Sequence, residues 1–424
     1  MRGLASILFM FCSSALVAGG IQLALQGVKQ SGMGGTGISN PLDASTIYFN
    51  PGALSFTQKN SLNLNAFMLL PKFQFREEGT NKLYKMSSGI TIPFAGYWSW
   101  NTNPKQHWKI GLGVYTPFGT NIDWGSTWAG RYVAANSKLN VYHIQPTFSY
   151  NIGNRVGVGA GFVYSLSSME QGRALPLAFG SGVDGQIDLS SKANGYGFNA
   201  GLLVHITPKL DIGASYKSAI QYKGSKGVVN YTVPDALTDS FPDAAVNTNM
   251  QLPWSVDIGV TYRPEPRLAL SIDVNYVGWS AYKNVVNDFA QPNSLLPAQP
   301  LPTDLNNAAT IRLGGSYDID STFTLRAGTY LDLAAVPDGT VSPLAPDANR
   351  FAITLGGTMH SGDRFELDLS FTYIDSARRT ESQADNYAGL GGTYKGNAIA
   401  IGLALNFNLG KRPKSTTPET LAEP

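Results

Sequence analysis

Between residues 61 and 408 the chain repeatedly alternates apolar with polar or small residues, in runs of about ten. In the last run, Ile399, Ile401, Leu403, Leu405 and Phe407 share one face, and Ala398, Ala400, Gly402, Ala404 and Asn406 share the other. Phe365, Leu367, Leu369, Phe371 and Tyr373 likewise oppose Glu366, Asp368, Ser370 and Thr372. Side chains of a β-strand alternate between two faces, so these runs are strands. Their second face is too polar for a sandwich core, and their apolar faces end in aromatics. That pattern suits a strand with lipid on one side and a watery lumen on the other.

Fourteen such segments can be counted: 61–70, 90–100, 108–116, 139–151, 155–170, 193–206, 209–222, 250–263, 267–282, 308–318, 322–331, 351–360, 364–375 and 396–408. The connections alternate strictly. Long ones (71–89, 117–138, 171–192, 223–249, 283–307, 332–350, 376–395) are separated by short ones, such as Gly153-Asn154 and Gly362-Asp363. Short periplasmic turns and long outer loops are the habit of outer-membrane barrels. The expected fold is all-β: a 14-stranded antiparallel transmembrane β-barrel over 58–408, both termini periplasmic. Composition agrees. Charged residues make up 14% of the 424, beside 46 Gly, 20 Tyr, 20 Phe and 7 Trp, and a mean hydropathy of −0.08 is too low for a bundle of membrane helices.

Three pieces fall outside the wall. Residues 1–20 have one Arg, a short apolar run and then small residues, and read as a secretory signal peptide. Residues 21–57 are rich in Gly and small polar residues and lack sustained alternation; they read as a plug, or hatch, inside the barrel, or else as a loose periplasmic arm. Residues 409–424 read as a disordered periplasmic tail.

Little points to catalysis. The lone cysteine, Cys12, lies in the leader, and the four histidines have no metal-binding spacing. No metal, cofactor or enzyme activity is expected. A net charge of +2 gives no field for nucleic acid. Gly32-Met33-Gly34-Gly35-Thr36-Gly37 matches a dinucleotide fingerprint, but no strand precedes it and no helical pattern follows. Its glycines suit a tightly folded hatch.

Proline in the wall is more informative. Pro93, Pro117 and Pro146 fall within or at the ends of segments two to four, and Gly111, Gly113, Phe118 and Gly119 lie beside Pro117. Proline cannot donate to a ladder, and an unpaired backbone group in lipid costs several kcal/mol. These residues mark either strand ends outside the hydrocarbon layer or a side opening between lumen and membrane. Apolar runs in two long loops, with Leu175, Leu177 and Phe179 in one and Val229 and Tyr231 in the other, either pack together or collect a hydrophobic ligand. By parity His143, Lys217, Arg312 and Arg326 face the lumen, where a basic group can pair across the lumen or hold a carboxylate.

The segment Gln30-Ser31-Gly32-Met33-Gly34, followed by Asp43 to Leu54 with Asn50-Pro51-Gly52 inside it, resembles the hatch of the FadL/TodX family of outer-membrane transporters, with its Asn-Pro-Ala signature. Tyr196-Gly197-Phe198-Asn199-Ala200-Gly201, Leu252-Pro253-Trp254, Trp279-Ser280 and Arg350-Phe351 match family positions in order. The resemblance implies a monomeric passive channel in the bacterial outer membrane. Hydrophobic ligand is caught on outer loops, passes to an inner pocket and leaves sideways at a kink in the third strand, here near Gly113–Gly119. Asn50, Pro51, Gly52 and Gly34 would shape the hatch. The chain departs from the pattern where fatty-acid members hold the acid head group: Leu166 and Asn307 stand near those places. The expected cargo is long-chain fatty acid; the alternatives are aromatic or alkane hydrocarbons, a general diffusion porin, or an outer-membrane lipase. Burying a methylene is worth about 0.8 kcal/mol, so a 16-carbon chain gains on the order of 10 kcal/mol on leaving water. An apolar route with a membrane exit keeps that gain.

Overall fold

The computed structural model describes residues 22–409, except 88, 103–106, 178–183, 282–285, 290–304 and 345. The expected leader, nearly all of the expected tail and Phe179 lie outside the described residues.

The strands close into a barrel of fourteen wall strands. In chain order they are β1 (Ser61–Glu77), β2 (Leu83–Lys85 and Phe94–Trp100), β3 (Trp108–Asp123), β4 (Asn136–Ile152), β5 (Val156–Leu175), β6 (Gly185–Thr207), β7 (Leu210–Lys217 and Ile220–Thr232) and β8 (Ala244–Leu252 and Ser255–Glu265). They continue as β9 (Leu268–Val277), β10 (Ala308–Asp318), β11 (Phe323–Asp332), β12 (Arg350–Ser361), β13 (Phe365–Ser376) and β14 (Gly392–Asn408). Each pairs antiparallel with the next, and β14 returns to β1 from Ser61↔Asn408 to Glu77↔Gly392. Closure leaves the sheet without a free end strand, as a spanning sheet requires.

Alternation sets the faces as expected. Ile401, Leu403 and Phe407 are exposed to lipid, while Ala400, Gly402, Ala404 and Asn406 are buried in the lumen. The long loops are shorter than expected. Leu175 ends β5, and Val229 and Tyr231 lie within β7. Strands need only about 9–11 residues to cross a bilayer, whereas β5 has 20 and β6 has 23. The apolar run around Val229 and Tyr231 is therefore an outer strand extension, whereas the run that begins at Leu175 leaves its strand at once, with Leu177 beyond the strand end.

Residues 22–57 lie inside the barrel. They form two single-turn helices, α1 (Val28–Ser31) and α2 (Thr46–Phe49), and a 3₁₀ turn, Pro51–Phe56. Lumenal glycines let the wall approach this segment closely. A methyl group on Gly314 would stand 2.1 Å from the Met33 carbonyl oxygen, and one on Gly201 would stand 2.0 Å from Asn50 Oδ1. A methyl at Gly52 would stand 2.4 Å from the Gly201 carbonyl oxygen. That contact explains why glycine follows Asn50-Pro51 here.

The seat is therefore cut for glycine. The double substitution Gly201→Ala with Gly314→Ala should dislodge residues 22–57 without opening the barrel. The expected outcome is a severalfold rise in ion conductance in planar bilayers, with barrel folding retained by heat-modifiable electrophoretic mobility; unchanged conductance would show that the seat tolerates a side chain.

Candidate functional site

The ladder between β2 and β3 stops at Ala95↔Tyr115. Above it, Pro117 lies in a bulge of β3 between Tyr115 and Phe118. On the opposite edge, Pro93 lies between the two pieces of β2. Neither proline has an N–H to give. The edges meet again where Ser87 N donates to the Asp123 carbonyl at 2.7 Å. Among the described residues no β2–β3 ladder forms over the seven positions between on each edge, 88–94 and 116–122, a window roughly 23 Å long at ~3.3 Å per residue.

Part of this edge is taken by the chain's own N-terminal segment. Leu23 N donates to the Pro117 carbonyl (2.8 Å), Gln22 bridges Phe118, and Gln26 Nε2 donates to the Thr116 carbonyl (2.7 Å). Residues 22–26 thus act as a makeshift strand on β3. Sequence reading missed them, although Leu23 and Leu25 alternate with Gln22, Ala24 and Gln26, a short strand signal within a segment read as irregular.

A cavity of about 440 Å³ runs through the window. It is lined on the lipid side by Ile90, Ile92, Phe94 and Tyr142, along its length by Leu69, Phe118 and Val141, and at its inner end by Arg312, Tyr330, Asp332, Asp347 and Arg350. Ile90 and Ile92 are 58% and 66% exposed, as side chains facing lipid are. The volume falls within the range usual for ligand sites. Above it, Phe118, Leu139 and Val141 join a large apolar cluster with Leu175, Val229, Met250 and Trp279, against which Leu177 and Tyr231 pack. A second outer cluster centres on Trp124 and Trp128, stacked at 4.8 Å.

The expected site residues separate into groups. Pro93, Pro117, Phe118 and Gly119 border the window or its cavity. Gly111 and Gly113 do not: they lie in the paired ladder below, where a methyl on Gly111 would stand 2.5 Å from Ile47 Cδ1. Pro146 is one strand further on and faces lipid. It pairs with Leu112 on one side and interrupts the β4–β5 ladder on the other. His143 is buried beside Tyr115 and Phe118. Lys217 pairs with Asp257 at 2.8 Å and lies over the Tyr48 ring. Arg326 donates to Thr358 Oγ1 and faces a polar basin at the periplasmic end. Of the basic residues singled out, only Arg312 reaches the window cavity.

Several cations were not singled out. Arg350 pairs with Asp347 at 2.9 Å and Asp332 at 3.9 Å. Burial pushes the Asp347 carboxyl upward, and Arg350 and the Ala335 N–H only partly offset it. In the outer loops, hydrogen bonds from Arg131 and Tyr132 hold Asp184 below the ordinary carboxylate range. Lys109 donates to the Thr57 carbonyl (2.6 Å), Thr57 Oγ1 (2.7 Å) and the Lys59 carbonyl (2.9 Å), tying the end of the inner segment to β3. Lys29 pairs with Glu366 at 2.5 Å, tying α1 to β13. Among the described residues no metal-binding cluster of His, Cys, Asp or Glu occurs.

A barrel with a segment seated inside it and a cavity through its wall matches known proteins along most of its length. The family described as outer membrane protein transport protein (OMPP1/FadL/TodX) matches residues 9–409. The chain belongs to this family. It is an outer-membrane transport protein. A long-chain fatty acid transport protein of Escherichia coli K12 is 22% identical over 300 residues, 62% of this chain and about two thirds (66%) of that one. A Pseudomonas aeruginosa FadL homologue of known structure superposes with a TM-score of 0.80 at 17% identity, covering 92% of this chain and 100% of that one. The Pseudomonas putida toluene transporter TodX gives 0.72, also at 17% identity, with the same coverage.

Asn50 is the hub of the inner segment. Its Nδ2 donates to the Ile38 carbonyl (2.7 Å) and the Leu202 carbonyl (2.9 Å), and its Oδ1 accepts from Gly52 N (3.0 Å). Asn50→Ala strips three buried groups of a partner, at about 1–3 kcal/mol each. Amide exchange across residues 38–54 should accelerate at least tenfold, while barrel amides stay protected; equal protection in both proteins would show that Asn50 is dispensable.

Proposed function

We propose that this protein is a passive route for hydrophobic compounds, long-chain fatty acids foremost, that empties sideways into the outer membrane. The observation that carries this reading is the single cavity joining the lumenal Arg312 and Arg350 to the lipid-facing Ile90 and Ile92 through the β2–β3 window.

The steps follow from the surfaces present. The outer apolar cluster around Leu175, Val229 and Trp279 collects the ligand near the external medium. From Phe118 and Val141, which belong to both surfaces, the ligand enters the cavity. Residues 22–26 shift off the edge of β3, and the chain slides out past Ile92 into lipid. At no stage does the apolar chain cross water, so the free energy gained on leaving water is kept. Residues 22–57 act as the hatch. They occupy the lumen at mid-height, which argues against a water-filled diffusion porin. The chain carries no nucleotide-binding loop, so the driving force is the gradient of the solute itself.

The E. coli relative is named for long-chain fatty acid transport, which favours the acid. The P. putida neighbour is named a toluene transporter, and the edge-on packing of Phe118 against Trp279 at 6.3 Å would also suit a flat aromatic solute.

The window can be stitched. A methyl at Gly89 would lie 3.1 Å from Asn121 Nδ2, the tip of a side chain on the facing edge, so thiols carried at these two positions face each other across the window. The double variant Gly89→Cys, Asn121→Cys, in a chain whose only other cysteine is Cys12, should lose oleate uptake when oxidised, to the level of cells lacking the protein, and regain it on reduction. Uptake at the normal rate with the disulfide formed would exclude the sideways exit.

A further inference from the structure

The inner end of the window cavity is polar although its walls are apolar, and its two arginines differ. Arg350 is neutralised by Asp347 and Asp332. Arg312 has no carboxylate within 4.0 Å among the described residues. Its Nη1 donates to the Gly35 carbonyl (3.0 Å), and its Nε is buried without an acceptor. Its neighbour across the β9–β10 ladder, Asp273, turns Oδ2 to the amides of Gly37 (2.7 Å) and Ile38 (3.0 Å) instead. A guanidinium carries five N–H donors in a rigid fork, so one carbonyl leaves it largely unsatisfied. A cation so placed strongly favours an anion, and a carboxylate can take two parallel N–H bonds from it.

Gly35 belongs to the tightest turn of the hatch. Gly34 and Gly35 have φ of +68° and +80°, a region that glycine enters without steric cost. Gly34 N donates to Thr354 Oγ1 at 2.8 Å. Arg312 therefore both lines the cavity and holds a turn of the inner segment through its Nη1.

Building on the uptake reading above, we propose that Arg312 is the residue that selects an acidic cargo and signals its arrival. The carboxylate of a single-chain amphiphile sits at Arg312, its chain lying along Leu69 and Phe118 toward the window. Pairing draws the guanidinium off the Gly35 carbonyl and loosens the Gly34–Gly35 turn. A neutral molecule of the same length fills the same walls without this effect. Arg312 is thus a specificity-determining residue, distinct from the places of Leu166 and Asn307 at which the family resemblance would put a head-group contact.

The test uses the purified full chain in dodecyl maltoside with radiolabelled oleate and oleyl alcohol as probes, together with amide exchange at residues 33–37. The wild-type protein should bind oleate at least tenfold more tightly than the alcohol, and oleate alone should accelerate exchange in the turn. Arg312→Gln should bring oleate down to the affinity of the alcohol without changing the latter, and Arg312→Lys should keep part of the preference. Equal affinity of the wild-type chain for both probes would overturn the proposal, as would a parallel fall in both on Arg312→Gln, which marks a structural role. Oleate preference without any change in the turn would remove the signalling part. Failure of the wild-type chain to bind either probe would defeat the uptake reading itself, a different result from binding both alike.

Discussion

In hydrocarbon, a backbone N–H or C=O without a partner costs several kcal/mol. That penalty governs this molecule. It forces β14 back onto β1, and it makes any break in the ladder a feature that something must occupy. Two kinds of break occur. Where β7 is interrupted between Lys217 and Ile220, the ladder with β6 is lost over residues 193–197, and Ser218 N still donates to the Phe198 carbonyl at 2.9 Å. The Ile220 side chain packs back onto Gly195 and Gly197, closing the wall. Between β2 and β3 the break is filled by a strip of main chain, residues 22–26, and by a cavity. A side chain anchored in the wall is a permanent filler. The strip of residues 22–26 is held to β3 by hydrogen bonds, which the proposed route requires it to exchange.

The barrel interior repeats the same rule on a smaller scale. Polar lumenal side chains do for residues 22–57 what neighbouring strands do for one another. Asn65 accepts from Val28 N, Gln145 donates to the Ile47 carbonyl, and Ser149 accepts from Ser55 N. Bare glycines let backbone approach backbone where a side chain would block it. Two buried lysines complete the seat in different ways. Lys29 is paired with a carboxylate, whereas Lys109 is surrounded by carbonyl and hydroxyl oxygens. A charge held by neutral dipoles is costly to strand, so either lysine would be left badly served if the inner segment moved far as a unit.

Much of the wall was legible because lipid and lumen impose opposite demands on adjacent residues. Ile401 and Gly402 cannot exchange faces without placing a polar strip against lipid, so strand number and direction follow from alternation alone. The extents of the outer strands were less legible. Val229 and Tyr231 lie in a strand that continues past the bilayer, where the polar face is no longer required and the run looks like an apolar loop. The seat of the hatch was illegible for another reason. Glycines such as Gly201 and Gly314 gain meaning only from what crosses them, and sequence alone does not place Asn50 or Met33 there. Proline did mark the window, through Pro93 and Pro117. Pro146 shows the limit of that signal, since its missing N–H interrupts the β4–β5 ladder, one strand away from the window.

The window and the seat meet on one strand. Along the inner face of β3, Lys109 grips the end of the 3₁₀ turn, Gly111 and Gly113 lie against Ile47, and Tyr115 packs edge-on to Tyr48 at 5.2 Å. Just beyond, Pro117 receives the N–H of Leu23. The strand whose edge is open in the wall is therefore also held from inside. A shift of residues 22–57 removes part of that support, and a ligand parting β2 from β3 strains the same contacts from the other side. On the proposed route the two events would share a free energy, so that either would favour the other. On the proposed route, an occupied cavity and a displaced inner segment would belong to one state of the protein, and the wall would stay closed when empty.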